Sequence, residues 1–188
     1  MLILASGSPR RRELLTQAGY EFSVHPAEID EAVRAGEAPM AYVTRLAREK
    51  AEAVFSQRAG AAGLAVLGAD TSVVVDGEIL GKPRDADDAA RMLRMLGGRT
   101  HEVITGVCVV TAERVEVAAE VTMVEFLPLS ESDIAAYVAT GEPMDKAGAY
   151  GIQGRAARWI PRIQGCYFNV VGLPVALVSA MLDSLSPE

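Results

Sequence analysis

The sequence predicts an α/β protein in which helices flank a mixed, twisted central sheet. Short apolar runs that are typical of strands alternate along the chain with stretches that carry helical apolar spacing. The pair Asp76-Gly77, set between two such runs, marks a tight hairpin, so at least one strand pair is antiparallel. No internal repeat, low-complexity segment or interdomain linker interrupts the sequence. We therefore expect a single domain over 1–188, with two lobes around one cleft.

The helix starts carry capping signals. Ser8 precedes Pro9 at a first helical position, and Asp85 and Ser130 are suited to cap later helices. The predicted strands are 1–5, 20–24, 64–75, 78–80, 103–111, 115–126 and 159–163, and the predicted helices are 9 to about 19, 39 to about 59, 86–96, 130–140 and 174–185. An acidic loop over 25–38 lies between two of them, and loops of that length are uncommon and often functional.

The composition limits the class of partner. A net charge of −7 argues against a nucleic-acid polymer or an anionic membrane, because the overall field repels both. Two cysteines and two histidines exclude a disulfide scaffold and disfavour a zinc site. The first apolar run is short and is followed by arginines, so we expect no signal peptide, no membrane-spanning segment and a cytoplasmic location.

Three consecutive arginines, Arg10 to Arg12, occupy the first turn of the first predicted helix. Cations oppose the helix dipole there, so the turn favours an anion such as phosphate. A solvated basic turn is the alternative. Arg11 shares a helical face with Leu14 and Leu15, which predicts that its side chain points toward the body of the protein.

Two charged residues interrupt apolar patterns. Lys50 falls on the apolar stripe of the helix that starts at Pro39, so it needs an anionic partner or else packs its stem and extends its head to solvent. Asp70 lies in an apolar strand and needs an ion pair, hydrogen bonds or a metal. A purely structural ion pair would also explain it. The predicted hairpin would bring Lys82 to the same end as Asp70.

This inventory of cations and carboxylates suits a phosphate ester together with a divalent metal. It suits nucleophilic catalysis poorly, because histidines are few and Cys108 lies in an apolar strand. Residues 77–82 are no P-loop, since the glycines are too close together and Pro83 follows the lysine.

Six segments spread in order along nearly the whole chain carry a more specific pattern. They are SGSPRR (6–11), YVTRLAREKA (42–51), GADT (68–71), ILGKP (79–83), DKAGAYGIQG (145–154) and NVVGLP (169–174). On these segments the chain resembles the Maf family of nucleoside triphosphate pyrophosphatases, whose fold is similar to that of ITP pyrophosphatases. Cys166 and the third arginine, Arg12, are minor departures from the family pattern.

The resemblance implies hydrolysis of a nucleoside triphosphate to the monophosphate and pyrophosphate, with Mg²⁺ or Mn²⁺, in a homodimeric protein. It implies Asp70 as the proton acceptor, Ser6, Arg11, Lys50 and Lys82 as phosphate ligands, Glu31 and Asp70 as metal ligands, and Arg10, Thr71 and Gln153 as specificity positions. The last three residues resemble the branch that acts on dTTP and UTP rather than on 7-methyl-GTP.

The expected mechanism is metal-assisted attack of water at the α-phosphate, with Asp70 accepting the proton of the water. Two alternatives stay open. The protein could be a nucleotide-binding regulator of cell division with little turnover, or a pyrophosphatase for modified or purine nucleotides.

Overall fold

A computed structural model of the chain describes residues 1–58 and 63–185. It contains a mixed seven-stranded sheet flanked by helices, as the sequence predicts. The strands are β1 Leu2–Leu4, β2 Phe22–Val24, β3 Ala65–Val75, β4 Glu78–Leu80, β5 Thr100–Val110, β6 Val115–Glu125 and β7 Arg162–Gln164. The helices are α1 Pro9–Gln17, α2 Pro39–Gln57, α3 Ala86–Leu96, α4 Glu131–Val138, α5 Tyr167–Val171 and α6 Val175–Asp183, and short 3₁₀ turns cover Glu142–Asp145, Ala147–Ala149 and Arg155–Trp159.

The sheet has the strand order β2-β1-β3-β5-β6-β7, and β4 pairs with β3. Strand β1 runs parallel to both β2 and β3. The hairpin has the predicted two-residue turn, because Val75 pairs with Glu78 and both Asp76 and Gly77 have positive φ angles, 52° and 78°. Strands β5 and β6 are neighbours, and their connection over 111–114 is short enough only for an antiparallel pair.

The predicted helix caps are present. The Ser8 side chain accepts a hydrogen bond from the Arg11 backbone N–H, and Asp85 accepts one from Asp88. Ser130 and Asp133 form a reciprocal capping box at the start of α4.

The predicted strand over 159–163 is wrong in its first half. Trp159 ends a 3₁₀ turn and packs edge-on against the Tyr137 ring with centroids 5.4 Å apart, so the strand starts only at Arg162. The short helix α5 has no counterpart in the prediction. The predicted end of α2 at Ala59 lies outside the described residues, and no helix within 1–58 and 63–185 is long and apolar enough to cross a membrane.

The chain divides into two compact units. The first unit comprises Met1–Thr71, Thr105–Glu120 and Gly172–Glu188, and the second comprises Ser72–Ile104 and Val121–Val171. In the first unit, apolar residues of α2, β1, β3 and β5 form one core cluster. In the second unit, α3, α4 and the strand ends pack around the aromatic rings of Phe126, Tyr137, Tyr150 and Trp159. Each unit therefore buries its own apolar face.

Candidate functional site

A buried lysine lies between two carboxylates in the first unit. The Lys50 ammonium is 2.7 Å from Asp70 Oδ1 and 2.7 Å from Glu31 Oε1. The side chains of Lys50 and Asp70 are only 10% and 12% exposed, whereas that of Glu31 is 57% exposed. The sequence predicted an anionic partner for Lys50 and a paired state for Asp70, and both expectations are confirmed. That the two residues partner each other was not predicted.

Close packing of α2 on the sheet brings this pair together. Lys50 lies on the buried face of α2, and Asp70 lies in β3. A Cβ atom at Gly68 of β3 would fall 2.1 Å from the Ala47 carbonyl oxygen, and one at Gly106 of β5 would fall 2.4 Å from the Val43 carbonyl oxygen. Only glycine at these positions lets the α2 backbone approach the strands this closely.

The environment favours the protonated form of Asp70 more than water does. Burial raises the pKa of Asp70 above its ordinary value of 3.8, while the positive charges of Lys50 and Arg11 act in the opposite direction. A carboxyl group that is buried yet kept close to cations is suited to accept and release a proton.

Arg11 points inward from α1, as predicted, and holds several backbone and side-chain oxygens. Its Nε donates to the Gly172 carbonyl at 2.8 Å, its Nη1 donates to Ser6 Oγ at 3.0 Å and to the Ala69 carbonyl at 2.9 Å, and its Nη2 donates to Thr71 Oγ1 at 3.0 Å. Burial lowers the pKa of Arg11, and the negative charge of Asp70 opposes that shift. Of the five guanidinium N–H groups, one on Nη2 has no partner among the described residues.

The residues on either side of Asp70 are held by this same guanidinium. Arg11 binds the Ala69 carbonyl on one side and the Thr71 hydroxyl on the other. Thr71 Oγ1 also lies 2.9 Å from Thr105 Oγ1, a residue that the sequence did not single out. The arrangement fixes the backbone of β3 at the position of the buried carboxylate.

The remaining predicted site residues differ in their burial and in the unit to which they belong. Ser6 is buried beside Arg11, whereas Arg10, which precedes Arg11 in the first turn of α1, is half-buried. Lys82 and Gln153 belong to the second unit, where both are exposed, and Lys82 follows the end of β4 by two residues. Arg12 is exposed.

Glu31 lies in the predicted acidic loop, which connects β2 with α2 and contains no helix or strand. Two α2 residues that the sequence analysis did not select donate hydrogen bonds to the backbone of this loop. Tyr42 Oη donates to the Glu31 carbonyl at 2.9 Å, and Arg45 Nη2 donates to the Ala32 carbonyl at 3.0 Å. The available signal was their spacing, since Tyr42, Arg45 and Glu49 follow one another at three and four residues and so share a helix face.

Comparison with known proteins identifies the family. The sequence model of the family described as "Maf-like protein" matches residues 1–185. The chain belongs to the Maf family. A relative from Hahella chejuensis named dTTP/UTP pyrophosphatase is 53% identical over 181 residues, which covers 96% of this chain and 90% of that protein. A relative of the same name from Symbiobacterium thermophilum is 56% identical over 181 residues, which covers 96% of this chain and 92% of that protein.

The fold of this Maf protein is similar to a solved structure of low sequence identity. The Ham1 protein of Staphylococcus aureus superposes with a TM-score of 0.50 at 13% identity, over 98% of this chain and 99% of that one. This likeness concerns the fold alone, and it agrees with the α/β architecture predicted from the sequence.

Two carboxylates of this Maf protein could serve as ligands for a small divalent cation. Glu31 and Asp70 direct carboxylate oxygens at one cationic group, the Lys50 ammonium, and each carboxylate keeps a second oxygen without a partner among the described residues. Mg²⁺ is commonly bound by one or two carboxylates together with waters and substrate phosphates. Within residues 1–58 and 63–185 no group of three or more His, Cys, Asp or Glu side chains could hold a metal by itself.

Proposed function

We propose that this Maf protein hydrolyses dTTP and UTP to the nucleoside monophosphate and pyrophosphate. The observation that carries the proposal is the buried carboxyl of Asp70, held 2.7 Å from the Lys50 ammonium and flanked by residues that Arg11 fixes. The names of the relatives at 51–56% identity support the same reaction and the same pair of substrates.

In the proposed reaction, Asp70 accepts a proton from a water molecule. The water oxygen then forms a bond to the α-phosphorus, and the bond from that phosphorus to the oxygen bridging to the β-phosphate breaks, so that pyrophosphate leaves. Lys50 and the free N–H of Arg11 neutralise charge that develops on the phosphate oxygens. A divalent metal held by Glu31 and Asp70 would polarise the α-phosphate and lower the pKa of the water.

Other parts of the proposal come from the resemblance. Ser6 and Lys82 stay predicted phosphate ligands, and Arg10, Thr71 and Gln153 stay predicted specificity positions. Homodimer formation, a cytoplasmic location, Mg²⁺ or Mn²⁺ as the metal and the absence of nucleic-acid and membrane partners belong to the same proposal.

The first prediction tests the role of Asp70 directly. Purified protein with Mg²⁺ should release pyrophosphate, and no orthophosphate, from dTTP and UTP. Asp70→Asn should lower turnover by about 10²–10⁴-fold, the usual contribution of a positioned general base, and should leave the fold intact. The measurements are a coupled pyrophosphate assay and circular dichroism.

Asp76→Asn is the matched control, because Asp76 is an exposed aspartate in the hairpin turn that follows the same strand. It should keep wild-type turnover. Normal activity in Asp70→Asn would contradict the proposed role. Tight binding of dTTP without hydrolysis by the wild type would favour the regulator, and faster turnover of ITP or methylated nucleotides would favour the purine-directed enzyme.

A further inference from the structure

The position of the Glu31 carboxylate needs an explanation. Glu31 lies in a segment without helix or strand, and its side chain is 57% exposed. An exposed side chain on an irregular loop has many accessible conformations, and fixing it costs conformational entropy. Its ion pair with Lys50 is one restraint, but that contact does not hold the backbone from which the side chain extends.

Two side chains of α2 hold this backbone. Tyr42 Oη donates to the carbonyl of Glu31 itself at 2.9 Å, and Arg45 Nη2 donates to the carbonyl of the next residue, Ala32, at 3.0 Å. The Arg45 guanidinium carbon lies 5.6 Å from the centroid of the Tyr42 ring, so the two anchors also contact each other. Two consecutive peptide carbonyls are thereby tied to the helix that carries Lys50.

Arg45 is in turn fixed by carboxylates on both sides. Its Nε and Nη2 donate to the two oxygens of Glu37 at 2.6 and 2.7 Å, and its Nη1 donates to Glu49 at 3.2 Å. The side chains of Arg45 and Glu37 are only 13% and 9% exposed, so solvent screens this pair little. Glu37 belongs to the loop and Glu49 to α2, so the guanidinium connects the two. A lysine side chain could not reproduce this planar, bidentate geometry.

We propose that Arg45 and Tyr42 are positioning residues that hold the Glu31 carboxylate where it binds the metal. The inference rests on the proposed function, because it takes Glu31 as a metal ligand. Neither residue touches the substrate in this account; they act through the loop backbone. Residues that orient a metal ligand in this way commonly change metal affinity or activity by 10–100-fold when they are replaced.

The test measures metal binding without turnover. Mn²⁺ is titrated into the full-length protein in the presence of a non-hydrolysable UTP analogue, and free Mn²⁺ is followed by its electron paramagnetic resonance signal. Arg45→Met should weaken Mn²⁺ binding by about 10-fold or more. In a Glu31→Gln background, Arg45→Met should not weaken Mn²⁺ binding further, because the ligand that Arg45 positions is already lost.

Arg48→Met is the matched control, since Arg48 lies on the same helix in an exposed pair with Glu52 and does not contact the loop. It should bind Mn²⁺ as the wild type does. Tyr42→Phe removes one hydroxyl and keeps the ring. If Arg45→Met fails to fold, this second variant tests the positioning role instead. We expect it to weaken Mn²⁺ binding about fivefold, the usual effect of one hydrogen bond.

The possible failures are distinguishable. If Glu31→Gln weakens binding while Arg45→Met and Tyr42→Phe bind as the wild type does, the positioning role is wrong and the metal assignment stands. Additive losses in the double variant overturn the positioning role as well. If Glu31→Gln itself keeps wild-type affinity, the metal assignment of the proposed function is wrong, and the positioning role falls with it.

Discussion

At the scale of single residues, the ion pairs of Lys50 influence how the Asp70 carboxyl titrates. Burial raises the pKa of Asp70, and the nearby charges of Lys50 and Arg11 oppose the increase. The proposed mechanism uses the ionised carboxylate. Activity is therefore lost as the pH falls through the pKa of Asp70.

We accordingly predict an acidic limb in the pH profile of kcat/KM, on which protonation of Asp70 removes the proton acceptor. Lys50→Gln removes the positive charge closest to the Asp70 carboxylate. The acidic limb in the pH profile of its residual activity should therefore move to higher pH. The measurement is pyrophosphate release between about pH 4 and 8. Arg48→Met removes a positive charge from the exposed side of the same helix and should leave the limb in place. An unchanged limb in Lys50→Gln would contradict the proposed influence of Lys50.

Single residues also show what sequence could predict of the site. A lysine on an apolar helix face and an aspartate in an apolar strand both require partners, and that requirement was visible in the sequence. The pairing of Lys50 with Asp70 was not visible, because it depends on how α2 lies on β3. Tyr42 and Arg45 were missed for a related reason, since an irregular loop gives no periodicity from which its contacts could be inferred.

At the scale of secondary-structure elements, the close approach of α2 to β3 and β5 determines the site, because it brings Lys50 next to Asp70. Residues whose preferences are local were predicted well: the Asp76-Gly77 turn fixed the register of β4, and serine and aspartate caps marked the starts of α1, α3 and α4. Elements that depend on distant contacts were predicted poorly. Trp159 has strong strand preference, yet its packing on Tyr137 keeps it in a 3₁₀ turn.

Gly68 gives a prediction at this scale. Gly68→Ala should lower the free energy of unfolding by about 1–3 kcal/mol, because the added methyl group overlaps the Ala47 carbonyl. It should also reduce turnover, since relief of the overlap moves Lys50 away from Asp70. Urea unfolding and the pyrophosphate assay measure the two effects. Gly81→Ala is the control for stability, because a Cβ there has no atom within 4 Å. Wild-type stability and activity in Gly68→Ala would show that α2 does not need this closeness.

At the scale of the whole molecule, a buried histidine makes stability depend on pH. His101 is 2% exposed, its Nε2 is 2.7 Å from Tyr150 Oη, and its ring packs edge-on against Phe126. Burial lowers the pKa of His101 from 6.5 to about 4. The unfolded chain therefore binds more protons than the folded protein between those two values. The stabilisation is fully present above pH 6.5 and is lost as the pH falls toward 4.

We predict that the free energy of unfolding falls by about 2 kcal/mol between pH 7.5 and pH 5 through this group alone. Urea titrations at the two pH values measure it. His101→Gln should reduce the difference between them by that amount, whereas His25→Gln, at the other histidine, should not. An equal pH dependence in wild type and His101→Gln would show that the pKa of His101 is the same in the folded and the unfolded state.

The path of the chain through the two units limits how the protein could be cut or rearranged. The chain passes between units at 71–72, 104–105, 120–121 and 171–172, and the first three crossings fall inside β3, β5 and β6. Each unit is discontinuous in sequence, because the first is assembled from three stretches of the chain and the second from two. A single truncation at a unit boundary therefore cannot isolate either unit. New chain termini for a circular permutant belong in a surface turn such as 111–114.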